Sequence, residues 1–322
     1  MTSWKDVQSA VKVKRKTKLA LLVLGLVTTL LILGQLIRFT QILFRTERNH
    51  IWNGEFNLNL VVRAKSISVF SYNPQDKKVV ILDIPLETYI EVPHGFGKWQ
   101  LRAIYDLGQQ EGGGGVLLKD SLANFLGLPI DGFLDFEGPF KESSAGELLD
   151  ILRINPVSGF RELSQIHSNL SLWELIRLKL ALLQVRFDKI EKRAILDLGV
   201  LEQDKLADGT PIFLSDPVKI DSALSSFAEP KLLKEHQSIA IFNATNHPQL
   251  AQKAARIIQN IGGNVIITGN SDQTLKHCQV FGEQSKTLKR LLQIFNCDRI
   301  DPGKDSRAQI NLFLGEDFYQ RQ

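Results

Sequence analysis

The chain has 322 residues, of which 43% are hydrophobic and 23% charged, so it is long enough for more than one domain with a buried core. Its formal net charge of +4 is concentrated at the start, because residues 1–18 carry six basic side chains and one acid and leave the rest at −1. Nucleic-acid binding needs a basic surface on a folded domain, and eighteen residues are too few for a helix-turn-helix, so we do not expect a nucleic-acid partner.

The first predicted element is residues 19–37, a run of nineteen residues without a charged side chain. A helix of this length spans roughly 30 Å, the thickness of the hydrocarbon core of a bilayer. Basic residues precede the run, and only Arg38, Arg45 and Arg48 follow it closely, so the positive-inside rule places residues 1–18 in the cytoplasm. We expect an uncleaved, single-pass signal anchor in the cell membrane, with the later residues outside; a cleaved signal peptide is the alternative, disfavoured by the length of the run.

The residues after the anchor are predicted to form two α/β regions. A proline and a short charged run at 228–237 predict a linker between them. In the first region, strands are predicted at 56–72, 78–84 and 132–136, the last at an edge of the sheet, and helices at 101–107, 116–126, 142–152 and 172–189. The glycine run at 112–115 lacks the Lys-Ser/Thr ending of a phosphate-binding loop, and we interpret it as a flexible loop.

The second region is predicted to be a small βαβ-type layer. Its predicted strands are 238–243, 265–268 and 308–314, and its predicted helices are 248–261 and 286–295. Cys278 and Cys297, the two cysteines of the chain, both lie here. Outside the membrane they could pair, although two cysteines do not make a disulfide framework, and the sequence leaves the pairing open.

Several runs of sequence carry a resemblance to a known family. In the first region they are SYNPQDKKVVILDIPLETYIEVPHGFGK, LRAIYDLG and LLKDSLANFLGLPIDGFLDFEG; in the second, SIAIFNATNHPQLAQKAARIIQNIGGNVIITGNSD and RAQINLFLGED. The first set resembles the LytR-CpsA-Psr (LCP) family, and the second resembles the LytR C-terminal domain that often accompanies it. This resemblance implies an α/β sandwich LCP-like domain at 50–229 and a small α/β C-terminal domain at 236–318. It also implies a membrane-anchored bacterial protein that moves lipid-linked glycopolymers onto peptidoglycan outside the cell.

The family's catalytic cluster is incomplete in this sequence. In the family, arginines grip the pyrophosphate of a polyprenyl-linked substrate and an acidic pair holds a divalent metal. Leu86 stands where the family has an arginine, although Glu87 keeps the acid beside it. Arg63 keeps a second arginine, but Lys65 replaces the metal-linked aspartate. Both halves of the mechanism are changed, so we expect a degenerate, non-catalytic relative with no cofactor and no metal site.

Binding of an anionic, lipid-linked ligand could survive this loss. Four cations are candidates for one binding rim: Arg63, Lys65, Lys98 and Arg102. Solvated surface charges are the alternative interpretation of the same residues. The partners implied by the resemblance are the membrane, a polyprenyl-pyrophosphate-linked glycan, peptidoglycan or an envelope protein.

The alternative function is an active LCP-type phosphotransferase with a rearranged site. Its catalytic candidates are Glu87 and Arg102, and it would need Mg²⁺. Asp131 and Asp135 flank or lie in the strand predicted at 132–136, and we interpret them as turn and cap residues rather than as an acid–base pair.

Overall fold

The computed structural model describes residues 51–136, 141–154, 166–300 and 308–321, together with Gly25, Thr28, Thr29 and Gly34. Apart from those four residues, the predicted anchor and the basic tail before it lie outside the described residues. In the parts of the chain that are described, no helix has the length and apolar character to cross a membrane. Residues 1–50 and 51–322 form two separate compact units.

The larger sheet of the second unit has six strands in the order β7-β6-β1-β2-β3-β8. The strands are β1 (Leu58–Arg63), β2 (Ile67–Asn73), β3 (Lys78–Ile84), β6 (Gly132–Phe136), β7 (Ile166–Ser168) and β8 (Ile190–Ala194). Two short hairpins accompany it, β4 (Tyr89–Val92) with β5 (Gly97–Gln100), and β9 (Leu201–Lys205) with β10 (Pro211–Ser215). β1 runs antiparallel to β2 and parallel to β6.

Two strand predictions differ from this sheet. The single strand predicted at 56–72 is two strands, because the chain turns back at residues 64–66. Both strands are buried on both faces, so apolar residues run through them and alternation does not mark the turn. β6 lies inside the sheet rather than at its edge, since β7 pairs with its outer side.

Helices cover both faces of the large sheet. Helices α1 (Leu101–Gln110) and α2 (Gly114–Leu126) pack on one face, and α3 (Ala145–Ile154) and α4 (Leu172–Leu182) pack on the other. Side chains of β1 alternate between these two cores, with Val61 in the first and Val62 in the second. The domain is therefore a three-layer α/β sandwich, as the resemblance implied.

The glycine run is half helical rather than a loop. Gly114 and Gly115 form the first turn of α2. A Cβ at Gly115 would lie 2.3 Å from the ring of Phe133, and one at Gly114 would lie 2.6 Å from the carbonyl oxygen of Tyr105. These glycines serve the close packing of α2 on α1 and on β6.

The smaller sheet has five strands in the order β12-β11-β15-β13-β14. They are β11 (Ser238–Asn243), β12 (Asn264–Asn270), β13 (Gln279–Gly282), β14 (Asp298–Arg299) and β15 (Ile310–Leu314), and the helices of this part are α7 (Leu250–Asn260), α8 (Lys286–Phe295) and α9 (Glu316–Gln320). The three strands and two helices predicted for the C-terminal region are present in the predicted order, but β13, β14 and α9 were not predicted. Cys278 and Cys297 form a disulfide that joins the segments entering β13 and β14.

The segment predicted as a linker is packed between the two sheets. Two short helices precede the small sheet, α5 (Pro217–Ala223) and α6 (Pro230–Glu235), and Glu229 is buried at the start of α6. Pro230 occupies the first turn of α6, where a missing N–H breaks no helical hydrogen bond. Glu235 accepts hydrogen bonds from the backbone N–H groups of Lys286 and Thr287 at the start of α8. The charged residues that predicted a linker are instead partners of the small sheet's helices.

A buried ion network holds α8 against the large sheet. Arg290 of α8 is fully buried, and its Nε donates to Glu229 Oε1 at 2.7 Å. Its Nη1 lies 3.5 Å from Asp131 Oδ1, and its Nη2 donates to the Asn57 carbonyl at 3.2 Å. A charge removed from water is tolerated only where partners surround it, so this network ties the positions of the two sheets together.

A second set of contacts joins α7 of the C-terminal domain to the end of α2. Arg256 of α7 donates to the carbonyls of Asn124 and Phe125 in the last turn of α2, at 2.9 and 3.0 Å. Asn260 donates to the Leu126 carbonyl at 3.2 Å. The last carbonyls of a helix have no partner within it, and a cation there also opposes the negative end of the helix dipole.

We expect Arg290→Met to lower the free energy of unfolding by about 3–5 kcal/mol, because Glu229 and Asp131 would stay buried without their cation. Urea unfolding followed by tryptophan fluorescence measures this loss. Lys289→Met is the control, since it removes a half-exposed cation of the same helix and should cost less than about 1 kcal/mol. Equal losses for the two variants would contradict the role given to Arg290.

Glu229 also predicts a pH dependence of stability. Burial raises its pKa from 4.5 to about 7, against the attraction of Arg290. The folded chain then binds more protons than the unfolded chain between these values, so stability falls as the pH rises from 4.5 to about 7. Unfolding free energies measured across this range should fall by up to about 3 kcal/mol more in the parent chain than in Glu229→Gln. Parallel curves for the two proteins would show that Glu229 does not titrate in this range.

Candidate functional site

Polar side chains meet where β1 and β6 end. These parallel strands pair Arg63 with Asp135 in register, and Arg63 Nη1 lies 2.7 Å from Asp135 Oδ1. The Arg63 guanidinium stacks 3.8 Å from the ring centre of Tyr105 on α1, and the Tyr105 hydroxyl donates to Asp135 at 2.6 Å. We call Arg63, Tyr105 and Asp135 the strand-end cluster. Burial, followed by the hydrogen bond to Asp135, raises the pKa of Tyr105, so its hydroxyl stays a proton donor.

Asp135 is not the turn or cap residue that we predicted. It lies inside β6, is 1% exposed and is held by two donors of the strand-end cluster. Asp131 is not a turn or cap residue either: it lies in the segment just before β6, exchanges hydrogen bonds with Asn59 of β1, and faces Arg290 in the interface between the sheets. Sequence alone missed Asp135 because a lone acid in an apolar strand shows no partner until β1 is paired beside it.

A second polar pair lies on the opposite face of the same sheet end. Ser68 of β2 donates a short hydrogen bond to Asp83 of β3, and the two residues are paired in register. Ser68 is fully buried and Asp83 is half-buried. No sequence signal marked Asp83, since it stands in a strand of otherwise apolar residues.

An apolar pocket adjoins this second pair. It lies between the sheet and helices α3 and α4, and its volume of about 20 Å³ has room for about one water molecule, so it is far smaller than a ligand pocket. Its walls are entirely apolar, formed by Val62, Phe70, Leu134, Phe136, Ala145, Leu148, Leu149, Leu152, Leu178 and Leu182. Val62, Leu134 and Phe136 lie near the sheet end and Phe70 lies midway along β2, so the pocket lies on the same face of the sheet as the polar pair and extends toward the middle of the sheet.

The predicted binding cations divide between the two helical layers. Arg63 stacks on Tyr105 of α1, and Arg102 is a residue of α1, one turn before Tyr105. On the surface, Arg102 pairs with Glu87 at 2.7 Å. Lys65 is exposed in the turn between β1 and β2, and its N–H donates to the Ser143 carbonyl just before α3. Of the four cations, Lys65 is the one placed beside a helix that lines the pocket.

Lys98 and Leu86 complete the predicted set. Lys98 is exposed on β5 and stands opposite Glu91 of β4. Leu86, which occupies the position of a family arginine, is half-buried and packs against the core on the α1 side of the sheet. Its side chain therefore contributes to packing at a place where the resemblance implied a phosphate ligand.

Residues 237–318 match the family model described as LytR cell envelope-related transcriptional attenuator. This part of the chain is a LytR C-terminal domain. The family recognised in the sequence is thereby confirmed for the C-terminal domain. Comparison with curated proteins found no match.

Several solved structures are similar to the chain. Bacillus subtilis TagT is 14% identical, over 54% of this chain and 91% of that chain, with a TM-score of 0.38. TagT with bound octaprenyl pyrophosphate lipid, described as a LytR-CPS2A-psr family protein, is 16% identical over 52% of this chain and 88% of that chain, with a TM-score of 0.37. A transcriptional regulator from Enterococcus faecalis is 9% identical over 65% of this chain and 88% of that chain, with a TM-score of 0.41. Likenesses at these TM-scores carry no weight for function, which has to follow from the residues of this chain.

Two arginine–carboxylate ion pairs with the same N–O distance should contribute differently to the free energy of unfolding. Both are 2.7 Å long, but Asp135 is 1% exposed and Glu87 is 37% exposed. We expect Arg63→Ala to cost about 2–4 kcal/mol of unfolding free energy, because it leaves a buried carboxylate without its cation. Arg102→Ala should cost less than about 1 kcal/mol. Urea unfolding of the two variants tests this, and similar losses would mean that Arg63 is not held as the structure shows.

Proposed function

We propose that this protein is a single-pass membrane protein of the bacterial envelope whose outer part binds a polyprenyl-linked, anionic glycan without transferring it. The observation that carries this proposal is the match of residues 237–318 to the LytR C-terminal family model, together with a sheet end that keeps Arg63 but has Leu86 and Lys65 where the resembling family has an arginine and an acid. A polyprenyl-linked glycan has an apolar chain and an anionic head, and it needs a site with both characters side by side. The apolar gap between the sheet and helices α3 and α4 would have to widen to admit the chain, and Lys65 and Lys192 are exposed cations beside the start of α3.

The strand-end cluster supports binding without catalysis. Transfer of a phosphoryl-linked group depends on several charged groups aimed at the reacting phosphate. Here Arg63 is committed to Asp135 and Tyr105, and Leu86 and Lys65 replace an arginine and a metal-binding acid of the resembling family. Each missing contact of this kind can cost about 3 kcal/mol of transition-state stabilisation. Together, the missing contacts would remove most of the transition-state stabilisation that transfer needs.

An extracytoplasmic location is part of the proposal. The apolar run at 19–37 and the basic residues before it support an anchor with the C-terminal part outside. The disulfide between Cys278 and Cys297 also supports it, because disulfides persist in oxidising compartments and are rare in the cytosol.

Filling the pocket tests the proposal. We expect Ala145→Phe, which places a ring inside the pocket, to weaken binding of octaprenyl pyrophosphate about tenfold or more, equivalent to at least about 1.4 kcal/mol. Binding is measured on the purified full chain by microscale thermophoresis, with thermal unfolding as the check that the variant folds. Val116→Phe, at an exposed position on α2, adds a ring on the other helical layer and should leave the affinity unchanged. Unchanged affinity in a folded Ala145→Phe variant would show that the pocket is not the site.

The alternative, an active phosphotransferase, draws on the ion pair between Glu87 and Arg102. The same preparation, given a polyprenyl-pyrophosphate-linked sugar, a peptidoglycan acceptor and Mg²⁺, distinguishes the two functions. Binding without turnover supports our proposal. Metal-dependent transfer that Arg102→Ala abolishes would establish the alternative, and Lys98→Ala provides a control for loss of a nearby exposed cation.

A further inference from the structure

Helix α4 is apolar on two opposite sides. One side, with Leu175, Leu178 and Leu182, is buried in the core below the large sheet. The other side leaves five large apolar side chains exposed, which we call the α4 stripe: Leu172, Trp173, Leu180, Leu183 and Phe187, with exposures from 37% to 70%. At about 100° per residue, Leu172, Trp173, Leu180 and the C-cap Leu183 occupy an arc of roughly 100°, the width of an apolar helix face that is normally covered, and Phe187 lies beyond the helix end in a short 3-10 turn.

The surroundings of the α4 stripe are basic. Arg177 lies 5.9 Å from the ring centre of Trp173, and Arg153 stacks 3.6 Å from the ring of Phe187. Arg186 is 80% exposed at the end of the stripe. Of the two acids between residues 172 and 189, Glu174 is turned inward, and Asp188 is exposed but paired with Arg186 at 3.0 Å. A tryptophan, aliphatic side chains and flanking arginines match the chemistry of the boundary between lipid head groups and acyl chains.

The chain enters the folded unit at this helix. The N–H of Trp52 donates to Glu174 Oε1 at 2.8 Å, and Arg177 Nη1 donates to the carbonyl of Trp52 at 3.1 Å. Fourteen residues, 38–51, separate Trp52 from the end of the proposed anchor, and such a segment reaches at most about 50 Å when extended. A bilayer that held the anchor would therefore be within reach of α4.

We propose that the α4 stripe lies in the outer surface of an anionic bilayer, with Trp173 and Leu180 at the level of the upper acyl chains. This inference rests on the membrane anchor of the proposed function. Docking on the bilayer would bring the pocket, which shares Leu178 and Leu182 of α4, next to the membrane that carries a polyprenyl-linked ligand. The ligand's apolar chain would then pass from lipid to protein without crossing water.

Spin labels at two equally exposed positions test the proposal. Leu180 and Ile266 are both 51% exposed, and Ile266 lies on β12 of the C-terminal domain. The full chain, carrying either Leu180→Cys or Ile266→Cys, is labelled without reductant so that the disulfide persists, and is reconstituted into vesicles of phosphatidylcholine and phosphatidylglycerol. Electron paramagnetic resonance then compares the accessibility of each label to oxygen and to a water-soluble nickel complex.

We expect the ratio of oxygen to nickel accessibility to be several-fold higher at position 180 than at position 266, and to fall when phosphatidylglycerol is left out. Equal ratios at the two positions would overturn the proposal. A short distance between labels at position 180 of two copies, without lipid contact, would overturn it in favour of a dimer interface. Flotation of the vesicles after a high-salt wash separates the two inferences: a chain that does not float lacks the anchor, whereas one that floats with its label in water lacks only the docking of α4.

Discussion

The central strands of the large sheet are buried on both faces, and this constraint decides where charge can lie. Helices α1 and α2 cover one face and α3 and α4 cover the other, so the interior positions of β1, β2 and β3 are nearly all apolar. A carboxylate in such a strand requires a cation and hydrogen-bond donors, because its desolvation costs several kcal/mol. Asp135 meets this requirement with Arg63 and Tyr105. The two acids of the central strands β1, β2, β3 and β6, Asp83 and Asp135, therefore both lie at the sheet end, where the strands leave the helical layers.

The need of a buried charge for partners also explains the contacts between the C-terminal domain and the sandwich. Arg290, Glu229 and Asp131 form a charged group that neither sheet could bury alone. Arg256 and Asn260 add hydrogen bonds to the end of α2, where the backbone carbonyls would otherwise lack partners. Two domains joined by a flexible linker would not place so many charged donors under cover. With these contacts, residues 51–322 form one compact unit.

Sequence patterns predicted an element well where local signals mark its ends and poorly where no such signal separates it from the next element. The helix at 286–295 and the strand at 238–243 agree with the structure residue for residue, because caps and periodicity mark their ends. The turn at 64–66 was missed, since β1 and β2 lack the alternation that would have separated them. At the site, sequence resemblance identified Arg63 and the loss at Leu86. It did not identify Asp135 or Asp83, because their significance depends on which strands lie side by side.

A retained arginine is weak evidence of a retained reaction. Arg63 occupies the place of a family arginine, yet its guanidinium neutralises a buried acid and stacks on an aromatic ring, two contacts that stabilise the fold whether or not a phosphate is bound. Selection for stability alone would preserve it. The apolar gap beside α3 and α4 is no stronger as evidence, because its volume of about 20 Å³ holds about one water molecule. Under the proposed function, α3 and α4 would have to part to admit an apolar chain, and binding of this kind, unlike transfer, would need no charged residue that the resemblance marks as replaced.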